Sequence, residues 1–565
     1  MTERTTEPAT RQSPQHQTAA QLIQQGLFHH RQGQIPLAMD RYTEVLRNNP
    51  QNAEALYYVA VVACQEGQFK QGANLARRAL ALGAKEARVH NLLGQALDRL
   101  GKPPEALKCF DAAIAVDPKF AEAHGNRANI LADARMPEEA LKSFDHALAI
   151  NPNSPTDLLN RGALLQDLGR HAEALESYDK ALTIVPNAPN VMMNRANALA
   201  MLGRVAESVA VYDAVIAANP KAPLAYAQKG LALKHHGRFD EARATIEQAL
   251  TIEPNDAVNS VALGQLLLLT GDWRKGLPLL ERRAQLPKPP YQPLDLPQWQ
   301  GEPIGDFRLV LKSEDDLADT VQMARYATLL AGRGYPVWLI TSDLLAPLMT
   351  TLPGVERVIT SADALTSDPR RVLWAPLMSL PRLLHLTPTA VPAQEPYLKA
   401  DPERVAQWAE RLGTQGFKVG IAWLGAAAGN AAPLAALGAL AGIPGVRLIS
   451  LQDQPGAQDI ARMPFGAAIE TPLGDNALSA DGLLDLTAVI ANLDLVVSVD
   501  ALPAHLAGAL GKEVALALPY VADWRWLTGR DDTPWYQATR LFRQAGDRQW
   551  EPVFARIAEA VRQRA

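Results

Sequence analysis

The sequence predicts an α-solenoid over residues 18–286, followed by an α/β region whose two halves are each built on a parallel sheet. A fixed 34-residue period, a proline cluster where that period stops, and an alternation of strand and helix patterns beyond it lead to this reading. Asn126, Asn160 and Asn194 are 34 residues apart, as are Phe144, Tyr178 and Tyr212, and Pro118, Pro152, Pro186, Pro220 and Pro254. Such self-similarity marks stacked supersecondary units. One unit cannot bury its apolar stripe alone, so the core forms between neighbours.

Eight copies start at Ala19, Ala53, Ala87, Ala121, Pro155, Pro189, Pro223 and Ala257. The clearest runs from Pro155 to Ala188, with Gly162 and Gly169 in the first helix and its turn, then Ala174, Tyr178, Ala181 and Pro186. Small Gly162 and Ala174 allow the paired helices to approach closely, and Tyr178 is expected to fill the wedge against the next repeat. A mid-repeat Gly, a later Ala, an aromatic four residues on and a closing Pro resemble the tetratricopeptide repeat. The second copy carries Ala76 where an aromatic is expected, and the eighth carries Gly276 in place of the second-helix Ala. An atypical last unit is expected where a solenoid stops or meets another domain. The resemblance implies a surface that holds another protein.

Composition excludes several classes. At 565 residues the chain has room for two or three domains, and 48% hydrophobic content suits a folded protein. A net charge of −5 argues against a dedicated nucleic-acid or anionic-membrane binder. Cys64 and Cys109 fall in different repeats, which points to buried thiols in a reducing, cytoplasmic setting. Residues 1–17 are polar and mixed in charge, so a disordered tail is expected rather than a secretory leader. The uncharged stretch 419–446 is rich in Ala and Gly and interrupted by Asn430, Pro433 and Pro444, which argues against membrane insertion.

Pro287, Pro289, Pro290, Pro293 and Pro297 predict an extended, semi-rigid linker over 287–305. Strands are then expected at 307–311, 336–341, 357–359 and 371–375, with helices at 320–333 and 344–352 between them. These place one half of the α/β region at 306–400. The other half, 401–565, should have a helix at 402–412 and strands at 418–423, 447–451, 493–499 and 514–518. Alternation of this kind builds a parallel sheet with helices on both faces, and ligands bind beyond the carboxyl ends of its strands.

Specific motifs stand at those strand ends: Asp319-Thr-Val-Gln-Met-Ala-Arg325-Tyr326, Leu-Pro-Gly-Val from Leu352, Ser-Leu-Gln ending at Gln452, Val499-Asp500, and Ala504-His505-Leu-Ala-Gly508. Asp523-Trp524-Arg525-Trp526, Arg530, Pro534-Trp535-Tyr536 and Arg540-Leu-Phe-Arg543-Gln544 follow. Together they resemble a bacterial family that joins tetratricopeptide repeats to a glycosyltransferase domain. That domain is similar to heptosyltransferases of the GT-B type, in which two Rossmann-like halves face each other across a cleft. The architecture as a whole resembles protein O-glycosyltransferases, including those proposed for flagellin.

The resemblance implies roles position by position. Asp319 matches the family's carboxylate after the first strand and is the candidate general base; the alternative is a helix N-cap. The two glycines that precede that carboxylate in the family are absent from Asp316-Leu-Ala-Asp319. Asp500, His505, Gln452, Arg525 and Lys312 are the donor-binding candidates. His505 has the alternative of a satisfied structural imidazole, and the tryptophans around Arg525 that of a packed lid. The family's basic loop is replaced by Trp423-Leu-Gly-Ala-Ala-Ala-Gly-Asn-Ala-Ala-Pro433, which has no Lys or Arg. A diphosphate leaving group needs fixed cations or helix N-termini. Their loss fits either an inactive enzyme or a donor with a single phosphate, such as a CMP-linked nonulosonic acid. Lys312, Arg325 and Arg525 are the nearest substitute cations. Cysteine and histidine spacings give no metal motif, and no cofactor is implied beyond the nucleotide-sugar substrate.

Asn126, Asn160 and Asn194 share the sixth position of the first helix, with Gln228 in the next copy. A row of amides there can grip an extended acceptor backbone; the alternative is hydrogen bonding between repeats. Three functions follow: a repeat-guided glycosyltransferase acting on Ser or Thr of a bound protein such as flagellin, a non-catalytic adaptor with a degenerate transferase domain, or a transferase acting on a non-protein glycan.

Overall fold

The computed structural model describes residues 17–365, 372–392, 396–425, 431–452, 454–474 and 479–565. Tail residues 1–16, the first residue of the strand expected at 371–375, and loop positions 426–430 lie outside these. Among the described residues, sixteen α-helices run from Ala19 to Leu280, and the first helix of each pair starts at the residue the repeat spacing gives. The chain divides into two compact units at Ala217 and Ala218, so six repeats belong to the first and two to the second.

In the fifth repeat, Ser154 caps the helix Pro155–Asp167 by accepting from the Asp157 amide, and Pro155 occupies the first turn, where its missing N–H costs nothing. Gly169 closes the turn at φ 73°, a conformation that side chains with a Cβ resist. The second helix, His171–Ile184, places Tyr178 flat on Gly162 of its own repeat, where an added Cβ would sit 2.5 Å from the ring. Gly26 meets Tyr42 and Gly94 meets Phe110 in the same way. The ring therefore fills the gap within its own repeat, and it also joins Val191 and Leu199 of the next in one cluster.

A second periodic device was not anticipated. Arg127, Arg161 and Arg195 each reach back to the second helix of the preceding repeat, pairing with Asp111, Asp145 and Asp179 at 2.8, 2.8 and 2.6 Å. Arg127 and Arg161 also donate to Ser143 and Ser177 of their own repeat, at 2.6 and 2.8 Å. The carboxylates are half exposed, so each pair contributes less than about 1 kcal/mol, and its main effect is to fix register.

The second unit contains two parallel sheets. The first has strands β1 (Arg308–Lys312), β2 (Val337–Ile340), β3 (Arg357–Ile359) and β4 (Val372–Pro376) in the order β3-β2-β1-β4. The second has β5 (Phe417–Ala422), β6 (Val446–Ser450), β7 (Ile469–Glu470), β8 (Leu495–Val499), β9 (Val514–Leu518) and β10 (Thr539–Arg543) in the order β10-β9-β8-β5-β6-β7. Neither β7, two residues long, nor β10 was anticipated; in Thr-Arg-Leu-Phe-Arg the flanking Arg540 and Arg543 obscure the buried Leu541 and Phe542.

The helix expected at 320–333 is two helices, Leu317–Met323 and Arg325–Gly332. At the break the Arg325 guanidinium donates to the Gln322 carbonyl. The proline-rich segment is extended but not a free spacer. Trp374 donates its amide to Pro297 O at 3.1 Å, Trp299 donates to Trp374 O at 2.8 Å, and Gln298 thereby pairs with β4. Trp273 of the eighth repeat stacks on Trp535 with centroids 5.6 Å apart and meets Trp524 edge-on, so that repeat shares a hydrophobic core with the sheets.

Replacing Gly162 with Ala should lower the stability of the repeats by about 1–3 kcal/mol, because the methyl group must displace the Tyr178 ring. Urea unfolding of the full chain followed by helical circular dichroism measures this, and an unchanged midpoint would refute the tight fit.

Candidate functional site

A cleft of about 350 Å³ opens where β1 and β8 end. Val261 and Gln265 of the eighth repeat, Arg283, and Leu286 and Pro290 of the proline-rich segment form one wall. The rest comes from Glu314, Asp316 and Asp319 after β1, Met378 after β4, Asp500 and His505 after β8, and Asp523 and Arg525 after β9.

The helix N-cap is Asp316, whose carboxylate accepts from the Asp319 amide at 2.9 Å. Asp319 is therefore not the cap. It lies three residues further on, and its carboxylate pairs with the Nη2 of Arg525. Burial raises the Asp319 pKa to about 6; the attraction of Arg525 and His505 only partly opposes this, and Asp316 and Asp523 add repulsion.

Arg525 has every arm engaged. Its Nη1 donates to Asp523 at 2.6 Å and its Nε to Gln322 Oε1 at 2.8 Å, while Nη2 holds Asp319. Burial opposes its charge, but Asp319, Asp523 and Asp500 outweigh burial and hold it firmly protonated. His505 bridges Tyr536 Oη, 3.0 Å from Nδ1, and Asp500 Oδ1, 3.3 Å from Nε2. Gly508 makes this possible, since any Cβ there would lie 2.4 Å from the Tyr536 ring. Burial alone would raise Asp500, yet its hydrogen bond with His505 and the nearby Arg525 charge hold its carboxyl below the ordinary range. The cleft thus has two carboxylates pushed in opposite directions, an arrangement that separates base from fixed anion.

Other sequence candidates lie elsewhere. Lys312 donates to the Gln292 carbonyl at 2.6 Å, tying β1 to the proline-rich segment. Gln452 uses its Oε1 to accept the backbone amides of Trp423 and Leu424, which joins the ends of β6 and β5. Arg325 is buried against Tyr397, Tyr536 and the Trp535 carbonyl, a structural position. Lys234 of the seventh repeat escaped sequence reasoning. Burial lowers its pKa against the pull of Asp523, which places a cation beside the Arg525 network. Its repeat position resembles solvated helix surface, so no local signal marks it.

Two of the grooves among the first six repeats border Asn126 or Asn160. One of about 660 Å³ is lined by Asn129, Asp133, Phe144, Asn160 and Asp167, among others. The other, about 420 Å³, is lined by Phe69, Leu92, Phe110, Asn126 and Asn129 among others. Asn126 donates to Asn91 Oδ1 at 2.9 Å and Asn160 to Asn129 Oδ1 at 3.0 Å. Each amide thus has one hydrogen in a bond between repeats, which leaves at most its Oδ1 and one hydrogen for a partner. Asn194 and Gln228 are half-buried on the corresponding helices.

Family models for the tetratricopeptide repeat match residues 29–96, 91–155, 159–223 and 193–257. These segments are tetratricopeptide repeats. The chain is 31% identical over 291 residues to Protein FlbA of Caulobacter vibrioides, a match covering 47% of this chain and 48% of that protein. The chain therefore spans about half the length of the curated relative it matches. Among solved structures, Pseudomonas aeruginosa pilF is similar at 22% identity and TM-score 0.34, over 36% of this chain and 92% of that one. A thermophilic TPR protein of Thermus thermophilus, TTC0263, is similar at 24% identity and TM-score 0.29, over 32% and 99%.

Arg283 forms the other cationic centre of the cleft wall, donating to Glu314 at 2.6 Å, to Glu281 and to Ser379. Glu314→Ala should destabilise the second unit by about 3 kcal/mol by stranding a buried guanidinium, whereas Arg283→Met with Glu314→Leu should recover most of that loss. Thermal unfolding of the single and double variants checks this; equal losses would mean the pair is not the source.

Proposed function

We propose that the chain is a repeat-guided protein O-glycosyltransferase: the repeats hold a protein acceptor, and the GT-B-like region transfers a sugar from a nucleotide-sugar to its Ser or Thr. The observation that carries this reading is the convergence of Asp319 from the end of β1 and Asp500 from the end of β8 on one cleft, with Asp319 titrating near 6. A carboxylate in that range is matched to accept a hydroxyl proton near neutral pH. The motif resemblance supports the same reading and suggests an acceptor such as flagellin, in cytoplasm. Asn126, Asn160, Asn194 and Gln228 are the proposed acceptor contacts, and the grooves beside Asn126 and Asn160 give an extended segment room.

The charge balance of the cleft bears on the donor. Its lining has five carboxylates, Glu314, Asp316, Asp319, Asp500 and Asp523, against two guanidinium groups, Arg283 and Arg525. A departing nucleoside diphosphate would meet more repulsion there than a departing monophosphate, which favours a CMP-linked nonulosonic acid. The same balance favours a second reading, the non-catalytic adaptor, because both arginines are already neutralised internally.

Calorimetric titration with CMP, UDP, GDP and ADP should give saturable binding of CMP that Asp500→Ala weakens; binding of none would favour the adaptor. The kcat/KM for transfer, which reports the donor-free protein, should rise with pH through about 6 as Asp319 ionises. Asp319→Asn should slow it by about 10²–10⁴-fold. A flat pH profile, or a variant that remains active, would remove Asp319 from the base role.

A further inference from the structure

We propose that Arg525 is an exchange latch: an oxyanion of the donor displaces Asp319 from its guanidinium, so that donor binding itself releases the base. The inference rests on the transferase reading above. A guanidinium has five N–H groups and no acceptor. In Arg525, Nη2 donates to Asp319 and faces the Met378 sulfur at 3.9 Å, Nη1 donates to Asp523 and Nε to Gln322. Asp523 is held additionally by the Arg525 backbone amide at 3.0 Å, within a turn of its own segment. The Gln322 contact is fully buried. Asp319 and Asp523 both line the cleft and are similarly exposed, at 25% and 28%, but among the described residues the Asp319 side chain has no hydrogen bond beyond those with Arg525. It is therefore the partner an incoming anion can replace.

The groups that face Asp319 set the direction of the response. They are Arg525 and Asp523 from the segment after β9, Asp316 from its own helix, and His505 from the helix after β8. Arg525 provides the main attraction that keeps Asp319 ionised, while burial and the two aspartates oppose it. When a donor oxyanion takes over Arg525, that attraction is shared with a new negative neighbour, so the affinity of Asp319 for a proton rises. Binding and proton uptake are then linked. The carboxylate that leaves the latch has the higher proton affinity of the two states, and it accepts the hydroxyl proton in those complexes in which it is ionised, a share that grows as the pH rises. Without donor, the base stays neutralised, so the acceptor's hydroxyl is not activated in an empty cleft.

The test uses the full chain with CMP-N-acetylneuraminic acid, whose phosphodiester and carboxylate exchange no proton near neutrality, and with CMP, which lacks the sugar carboxylate. Calorimetry at pH 6.5 in buffers of different ionisation enthalpy counts protons taken up on binding. Uptake of a substantial fraction of one proton by wild type, abolished in Asp319→Asn, is expected. The variant should also bind about tenfold more tightly, since its amide no longer competes as an anion. Uptake with CMP-N-acetylneuraminic acid but not with the phosphate of CMP, after subtracting the Asp319→Asn value, assigns the exchange to the sugar carboxylate; uptake with both assigns it to phosphate. Binding without Asp319-dependent uptake, and with affinity unchanged in the variant, overturns the latch but leaves the transferase reading intact. No binding of either probe by wild type or variant overturns both. Asp319→Asn is close to isosteric, and its melting curve shows whether the fold is kept.

Discussion

A guanidinium taken out of water without compensation costs several kcal/mol, and this constraint organises the second unit. Arg525 belongs to the half of the α/β region that carries β5 to β10. Its partners Asp319 and Gln322, and the Met378 sulfur beside it, come from the half that carries β1 to β4. The ionic contact therefore works as a fastening between the two sheets as well as a feature of the cleft. Arg325 repeats the logic in the opposite direction, leaving the first half to meet the Trp535 carbonyl and the Tyr536 ring of the second. Two arginines crossing in opposite senses fix the orientation of the halves more closely than either apolar core could alone, because hydrogen bonds are directional and hydrophobic contact is not.

Around that fastening the hydrophobic core is continuous. Trp273, Trp524 and Trp535 bring the last repeat, the segment after β9 and the approach to β10 into one aromatic cluster. The cleft wall formed by Val261 and Gln265 is thus as rigidly held as the strand ends opposite it. A site whose walls are set by packed elements keeps its geometry when a ligand enters, which leaves the side chains rather than the backbone to respond.

The repeats were legible because their signals are local and periodic. The first helix of each repeat starts at the position the 34-residue spacing gave, and most strands fell within a residue or two. Legibility failed where a decisive partner lies far along the chain. Asp316 and Asp319 both suit an N-cap by type, and only the position of Arg525, distant in sequence, sends Asp319 into the cleft. Lys312 and Gln452 have the right chemistry for a donor site, but neighbouring strand ends and the proline-rich segment claim them. Asn126 and Asn160 show an intermediate case: their recurrence was visible, whereas their bonds to Asn91 and Asn129 follow from how one repeat is rotated on the next.

The placement of the eighth repeat bears on how such a chain can change over evolutionary time. Its first helix lines the cleft and its second begins with the tryptophan under the aromatic cluster, so this unit is inherited with the α/β region as a single piece of machinery. The repeats of the first unit are linked to immediate neighbours, as the Arg161 link from Asp145 to Ser177 illustrates. Duplication or loss of one of those copies would alter the reach of the array while leaving the cleft untouched, which separates the part of the molecule free to track new partners from the part that must stay constant.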